Sequence, residues 1–220
     1  MTDHPPQLAL PSDPRLFAAA DVGVKLTHAI DAVARVGGAD LILVGPAEAI
    51  REGRVGPEGQ RLDALGGAGL GELLSGLGAR VTRAEAAAAL GLADASADVI
   101  VGAWSVYRGV DPAELAEADR VLRPGGRLVV VHDYGRDDLS TLTGADRPEV
   151  ASWSRRGGAF LSAGFKIRVV HCFLNFDSVR AASEVLESVF GDRGLALASS
   201  LKRPRLSYNL AIYHRTRPGG

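Results

Sequence analysis

The chain of 220 residues is long enough for one sizeable domain, and its 46% of hydrophobic residues can supply a full core. Its net charge of −1 gives no bulk field that would attract nucleic acid or an anionic membrane, so we expect neither as a partner. The single cysteine, Cys172, excludes an internal disulfide and a cysteine-based zinc site, and it indicates a reducing, cytoplasmic location.

The first predicted elements follow an N-terminal arm over residues 1–14, which carries four prolines. Apolar residues at helical spacing predict a helix from Arg15 to Val36, which Gly37-Gly38 ends. The run from Leu41 to Val44 is continuously apolar, as in a parallel strand covered on both faces, and Gly45-Pro46 breaks it.

Three more strands are predicted before the middle of the chain. They are "QRLDAL" (residues 60–65), "ARVTRA" (79–84) and "ADVIVGAW" (97–104), which would be the second, third and fourth strands. Between the first two, the stretch "GAGLGELLSGLG" indicates a short, glycine-rich helix.

The second half continues the alternation of helices and strands. A helix over 111–123 should begin at an Asp111 cap with Pro112 in its first turn, and Gly125-Gly126 should close it. The remaining predicted elements are a fifth strand (127–135), a helix (148–165), a sixth strand (166–176), a helix from an Asp177 cap to Phe190, and a last strand (205–216).

This order predicts a doubly wound α/β fold with a mostly parallel, seven-stranded sheet and helices on both faces. We expect a single domain over residues 15–217, followed by a tail over 218–220. A ligand of such a sheet lies beyond the carboxyl ends of the strands.

The middle of the chain resembles the class I S-adenosylmethionine-dependent methyltransferases. The similarity lies in "LGLADASADVIVGAWSVYRGVDPAELAEADRVLRPGGRLVVVHDY" and "FLSAGFKIRVV", which match that family's acidic loop, fourth strand, helix, turn, fifth strand and sixth-strand entry in order. The resemblance implies a Rossmann-like methyltransferase fold and S-adenosylmethionine as cofactor.

The glycine loop expected of this family is degenerate here. The family's first strand ends in an acid and a Gly-x-Gly-x-Gly loop, whereas this chain has Gly45-Pro46 followed by Ala-Glu-Ala. If Gly45-Pro46 takes the place of the glycine loop, the resemblance implies that Gly45 and Pro46 contact the cofactor. Asp63 then stands where the family carries its ribose-binding acid. An alternative placement takes residues 67–71 as the glycine loop and Glu85 as the ribose-binding acid.

Other positions near the strand ends are also cofactor candidates. Glu85 is next to the position from which the family contacts the adenine amine, or it is a solvated cap. Ala103 and Trp104 end the fourth strand. Trp104 and Tyr107 could each stack on an adenine or line a substrate pocket. Trp104 could instead fill the core.

No catalytic residue stands out, because methyl transfer often needs alignment alone. His132, Asp133 and Tyr134 follow the fifth strand and are weak candidates for a base, and no metal site is expected. The helix ending at Phe190 should either cap a pocket or form a homodimer surface.

Three functions therefore stay open. They are a small-molecule methyltransferase, a catalytically inactive methyltransferase-like binding or assembly protein, and a Rossmann-like protein for another nucleotide.

Overall fold

The computed structural model describes residues 13–45, 54–55, 61–62, 69–104, 106–143 and 152–219. The strands are β1 (Asp40–Val44), β2 (Arg54–Val55), β3 (Arg61–Leu62), β4 (Arg80–Ala84), β5 (Ala97–Ala103), β6 (Leu122–Asp133), β7 (Lys166–Asn175) and β8 (Arg205–Thr216). The helices are α1 (Pro14–Ala19), α2 (Val22–Ala34), α3 (Leu70–Gly76), α4 (Pro112–Val121), α5 (Asp138–Thr143), α6 (Ala159–Ser162), α7 (Val179–Phe190) and α8 (Asp192–Ser200).

The main sheet has six strands within the described residues, in the order β4-β1-β5-β6-β8-β7. The pairs β4–β1, β1–β5 and β5–β6 are parallel. Strand β8 is antiparallel to both β6 and β7. The α/β class and the mostly parallel sheet are thus confirmed, whereas the expected seven strands are not found there. The carboxyl ends of β1, β4, β5 and β6 meet at one edge of the sheet.

The predicted second strand is wrong. Arg61–Leu62 pairs with Arg54–Val55 in a separate, antiparallel two-stranded sheet. Arg80–Ala84, predicted as the third strand, instead pairs with β1 along its whole length and is the second strand of the main sheet in chain order. The error has a physical cause, since a short apolar run shows the tendency to be extended but carries no information on its pairing partner.

The predicted N-terminal helix is two helices, α1 and α2. Between them Ala20 forms an isolated bridge with Leu174, and the Asp21 backbone N–H donates to the Phe173 carbonyl at 3.0 Å. The Asp21 carboxylate in turn accepts the Phe173 N–H at 2.7 Å. This pairing with β7 divides the predicted helix in two. The local pattern of apolar residues does not show the break, because the pairing partners lie far along the chain.

The turn of "RVLRPGG" lies at the amino ends of β1 and β5 and joins them through ion pairs. Residues 123–126 bulge out between the pairs Ala97–Leu122 and Val99–Arg127. The Arg123 guanidinium pairs with Asp98 at 2.8 Å and with Asp40 at 3.0 Å. The motif is therefore a structural element at the edge opposite the strand ends that would hold a cofactor.

Helix ends are only partly as predicted. The Asp111 carboxylate accepts the N–H groups of Ala113 (2.8 Å) and Glu114 (3.2 Å), so the predicted cap of α4 is confirmed. The α7 cap is Ser178, which accepts the Ala181 N–H at 3.0 Å, and not Asp177. In the described part of the predicted 148–165 helix, a turn at residues 154–158 precedes the short α6.

The sheet separates two hydrophobic cores. Leu43, Val101 and Val131 face the core that α2, α3 and α7 help to cover. Ile100, Val130 and their neighbours face a second core, which contains α4 residues and an aromatic group around Phe160. No helix in the described residues is long and apolar enough to cross a membrane.

Candidate functional site

Gly45 and Glu85 follow the carboxyl ends of the adjacent strands β1 and β4. The Gly45 N–H donates to the Ala84 carbonyl at 3.2 Å, which sets the ends of the two strands side by side. Gly45 has a φ of +154°, a backbone conformation that side chains with a Cβ rarely adopt. A glycine here keeps the strand end free of any side chain, and Glu85, the residue that follows Ala84, is exposed.

Because Arg80–Ala84 is the second strand of the main sheet, the acid that follows this strand is Glu85 and not Asp63. Pro46 and Asp63 both lie outside the described residues. The strand assignment that singled out Asp63 fails, because β3 is not in the main sheet. Glu85 is the acid directly after the second strand of that sheet, the position at which the sequence resemblance implies contact with a ribose.

Ala103 and Trp104 are both buried at the end of β5. Trp104 has a φ of +52°, and its side chain is only 5% exposed within the first core. Its indole N–H donates to the Asp133 carboxylate at 3.1 Å, and the same oxygen accepts the Tyr208 hydroxyl at 2.6 Å. Of the three roles open to Trp104, this burial favours core filling. Tyr208 had no local sequence signal, since it lies 75 residues from its partner.

Tyr107 also packs at this end of β5, on the opposite face of the sheet. It is fully buried, and a Cβ built on Gly102 would lie 2.5 Å from its ring. Its hydroxyl and Glu114 Oε2 are buried without hydrogen-bond partners in the described structure. Burial raises the pKa of both groups, and for Glu114 an accepted Tyr107 backbone hydrogen bond opposes that shift. Tyr107 therefore occupies space directly over the strand.

His132 lies next to the carboxyl end of β6 and is 2% exposed. Its ring is 4.7 Å from the Trp153 ring and 6.0 Å from the Phe160 ring, between centroids. Burial lowers the pKa of His132 to about 3; the Arg108 charge acts in the same direction, and a hydrogen bond with the Trp104 backbone opposes both. His132 is therefore neutral at physiological pH.

The residues after β6 are tied to β8. Asp137 accepts the backbone N–H groups of Ser140 and Asn209, each at 2.8 Å, and burial raises the pKa of its carboxyl. Asp138 accepts the Ser207 N–H at 2.8 Å, and Tyr134 lies beside Arg136. These acids hold the loop in place, and no cluster of three or more metal-binding side chains occurs among the described residues.

A groove of about 480 Å³ lies at the other edge of the sheet, at the amino ends of the strands. It is lined by the end of α2, by Asp98 and by residues 123–127. The ion pairs of Arg123 explain its polar character, and the expected ligand edge is on the opposite side.

Solved structures give the comparison that decides the fold. A candidate type II methyltransferase from Anaeromyxobacter dehalogenans superposes with a TM-score of 0.51 at 17% identity, covering 88% of this chain and 97% of the other. A candidate methyltransferase of an antibiotic biosynthesis pathway from Anabaena variabilis gives 0.52 at 12% identity, covering 89% and 98%. The chain has the class I methyltransferase fold. The resemblance read from the sequence is thus confirmed at the level of the fold, while no family model and no curated protein matches the sequence.

Proposed function

We propose that the chain is an S-adenosylmethionine-dependent methyltransferase that acts on a small molecule and holds the cofactor at Gly45 and Glu85. The observation that carries the proposal is the juxtaposition of these two residues at adjacent strand ends. A bare glycine backbone beside an exposed carboxylate suits a ligand that has both an amino-acid part and a ribose.

The donor chemistry of these residues fits the cofactor. A carboxylate is an acceptor only, so Glu85 can take hydrogen bonds from both ribose hydroxyls. Gly45 lets the methionine part approach the backbone closely, since no Cβ stands in the way. Ala103 is a small, buried residue at the end of β5. The bound cofactor would supply an electrophilic methyl group; the protein's part is to align the acceptor with it.

Glu85→Ala tests this assignment through binding alone. Loss of a charged hydrogen bond should weaken S-adenosylhomocysteine binding by about 1–3 kcal/mol, as measured by isothermal titration calorimetry. Glu187→Ala is the matched control, because Glu187 is an exposed glutamate on α7. An unchanged affinity in the Glu85 variant, with wild-type protein binding normally, would remove Glu85 from the site.

A catalytically inactive, methyltransferase-like binding protein is the second candidate. It is favoured by the side chains of Trp104 and Tyr107, which are buried at the end of β5 and fill space on both faces of the strand. On this hypothesis neither S-adenosylmethionine nor S-adenosylhomocysteine gives binding heat to the wild-type chain at high micromolar concentrations. Measurable binding of either compound would favour the enzyme.

A further inference from the structure

The groove at the amino ends of the strands carries more positive than negative charge. Three arginines line it: Arg35 at the end of α2, and Arg123 and Arg127 on β6. Asp98 is the one acid among the described residues of the lining. The volume of about 480 Å³ is within the range of small-molecule pockets, which runs from about 300 to 1,000 Å³.

Ion pairs neutralise Arg123 but not the other two arginines. Arg123 pairs with Asp98 at 2.8 Å and with Asp40 at 3.0 Å, so the acid of the groove is already bound. In the part of the chain that the structure describes, no acid pairs with the guanidinium of Arg35 or Arg127. The groove therefore keeps two positive charges that an anion would offset.

The positive charge of Arg127 reaches the neighbouring strand β8. Arg127 and Val129 alternate along β6, so both side chains lie on the face of the sheet that α2 covers. His214 pairs with Val129 and is half-buried. Burial lowers the pKa of His214, and the charges of Arg127, Lys166 and Arg168 lower it further. Because these neighbours are all cations, the imidazole of His214 reports on any anion bound beside Arg127.

The rest of the groove suits a small molecule with a phosphate group. Its other lining residues are uncharged, and a Cβ built on Gly125 meets no atom within 4 Å, so the groove is open there. The planar guanidinium group of arginine binds phosphate oxygens through two parallel N–H bonds. Since the whole chain has a net charge of −1, no bulk field attracts a long nucleic acid to this edge.

We propose that this groove binds a small phosphorylated molecule, whose phosphate oxygens accept hydrogen bonds from Arg35 and Arg127. The site goes beyond methyl transfer and does not depend on it. It lies at the edge of the sheet opposite Gly45 and Glu85, so its ligand does not compete with a cofactor at the carboxyl ends of the strands.

The test uses inorganic pyrophosphate as the probe, titrated by isothermal calorimetry at constant ionic strength so that general screening does not change. Wild-type protein should bind it saturably. Arg35→Gln and Arg127→Gln should each weaken the affinity about two- to fivefold. Arg193→Gln is the matched control, because Arg193 is an exposed arginine on α8 outside the groove lining. No saturable binding, or equal weakening in the control, would overturn the proposal.

A second measurement needs no variant. An NMR pH titration gives the pKa of His214 in wild-type protein with and without pyrophosphate. The bound anion offsets the charge of Arg127, so this pKa should rise. If pyrophosphate binds and the pKa of His214 stays the same, the anion lies elsewhere and the inference is wrong. Titration with S-adenosylhomocysteine reports separately on the proposed function, so either idea can fail alone.

Discussion

Replacing Gly102 with alanine directly probes the packing of Tyr107 on β5. The added methyl group would lie 2.5 Å and 2.8 Å from Tyr107 ring carbons, and 2.9 Å from a methyl group of Val106. Real Cβ atoms do not approach other atoms so closely, so Tyr107 and Val106 must move. Both residues are buried, which leaves them little room to do so.

The expected cost is that of overpacking a closely filled core, about 1–3 kcal/mol in the free energy of unfolding. For a chain of this size each kcal/mol lowers Tm by roughly 2–4 °C, so Gly102→Ala should melt roughly 2–12 °C below the wild type. Urea unfolding followed by circular dichroism gives the free energy, and thermal melting gives the shift.

Two further variants show whether the cost comes from this contact. Tyr107→Leu replaces the ring that the added methyl group would contact with a smaller side chain. The double variant should therefore be more stable than the sum of the two single effects predicts. Gly76→Ala adds a methyl group at the end of α3, where nothing lies within 4 Å, and should not destabilise the chain. If Gly102→Ala unfolds within about 0.5 kcal/mol of the wild type, Tyr107 does not fill this space.

Two other predictions concern His132 and Asp111. The depressed pKa of His132, about 3 against about 6.5 in the unfolded chain, means that the unfolded state binds more protons, so stability present above pH 6.5 is lost as the pH falls towards 3. Between pH 7 and 4.5 the loss should be about 2–3 kcal/mol by urea unfolding, and the same pH slope in His132→Phe would contradict this. Asp111→Ala removes the α4 cap and should cost about 1 kcal/mol in the same assay, whereas no measurable loss would mean that water replaces the cap.

Elements with strong local signals were predicted well from the sequence. The last strand and the strand after "GF" occur almost as expected, because their apolar runs are long and bounded by turns. The Asp111 cap was predictable for a similar reason, since a cap depends on atoms within four residues. The class I fold followed from several such elements in the right order.

The errors concern pairing over long distances. Whether Arg61–Leu62 or Arg80–Ala84 lies beside β1 is decided by contacts across the sheet, and neither stretch records its partner. The same holds for the site. The sequence left Glu85 with three possible roles: a ribose-binding acid, a contact to the adenine amine, or a solvated cap. The placement of β4 beside β1 is what sets it next to Gly45.

The docking of α2 on β7 has a consequence for synthesis on the ribosome. The Lys25 ammonium donates to the His171 carbonyl, 146 positions later, and Asp21 bonds to Phe173, 152 positions later. Leu26 and Ile30 on the same helix are fully buried in the finished protein. During synthesis the partners of Lys25 and Asp21 on β7 are therefore made only 146 and 152 residues later, and in this period α2 is incompletely packed and open to chaperones.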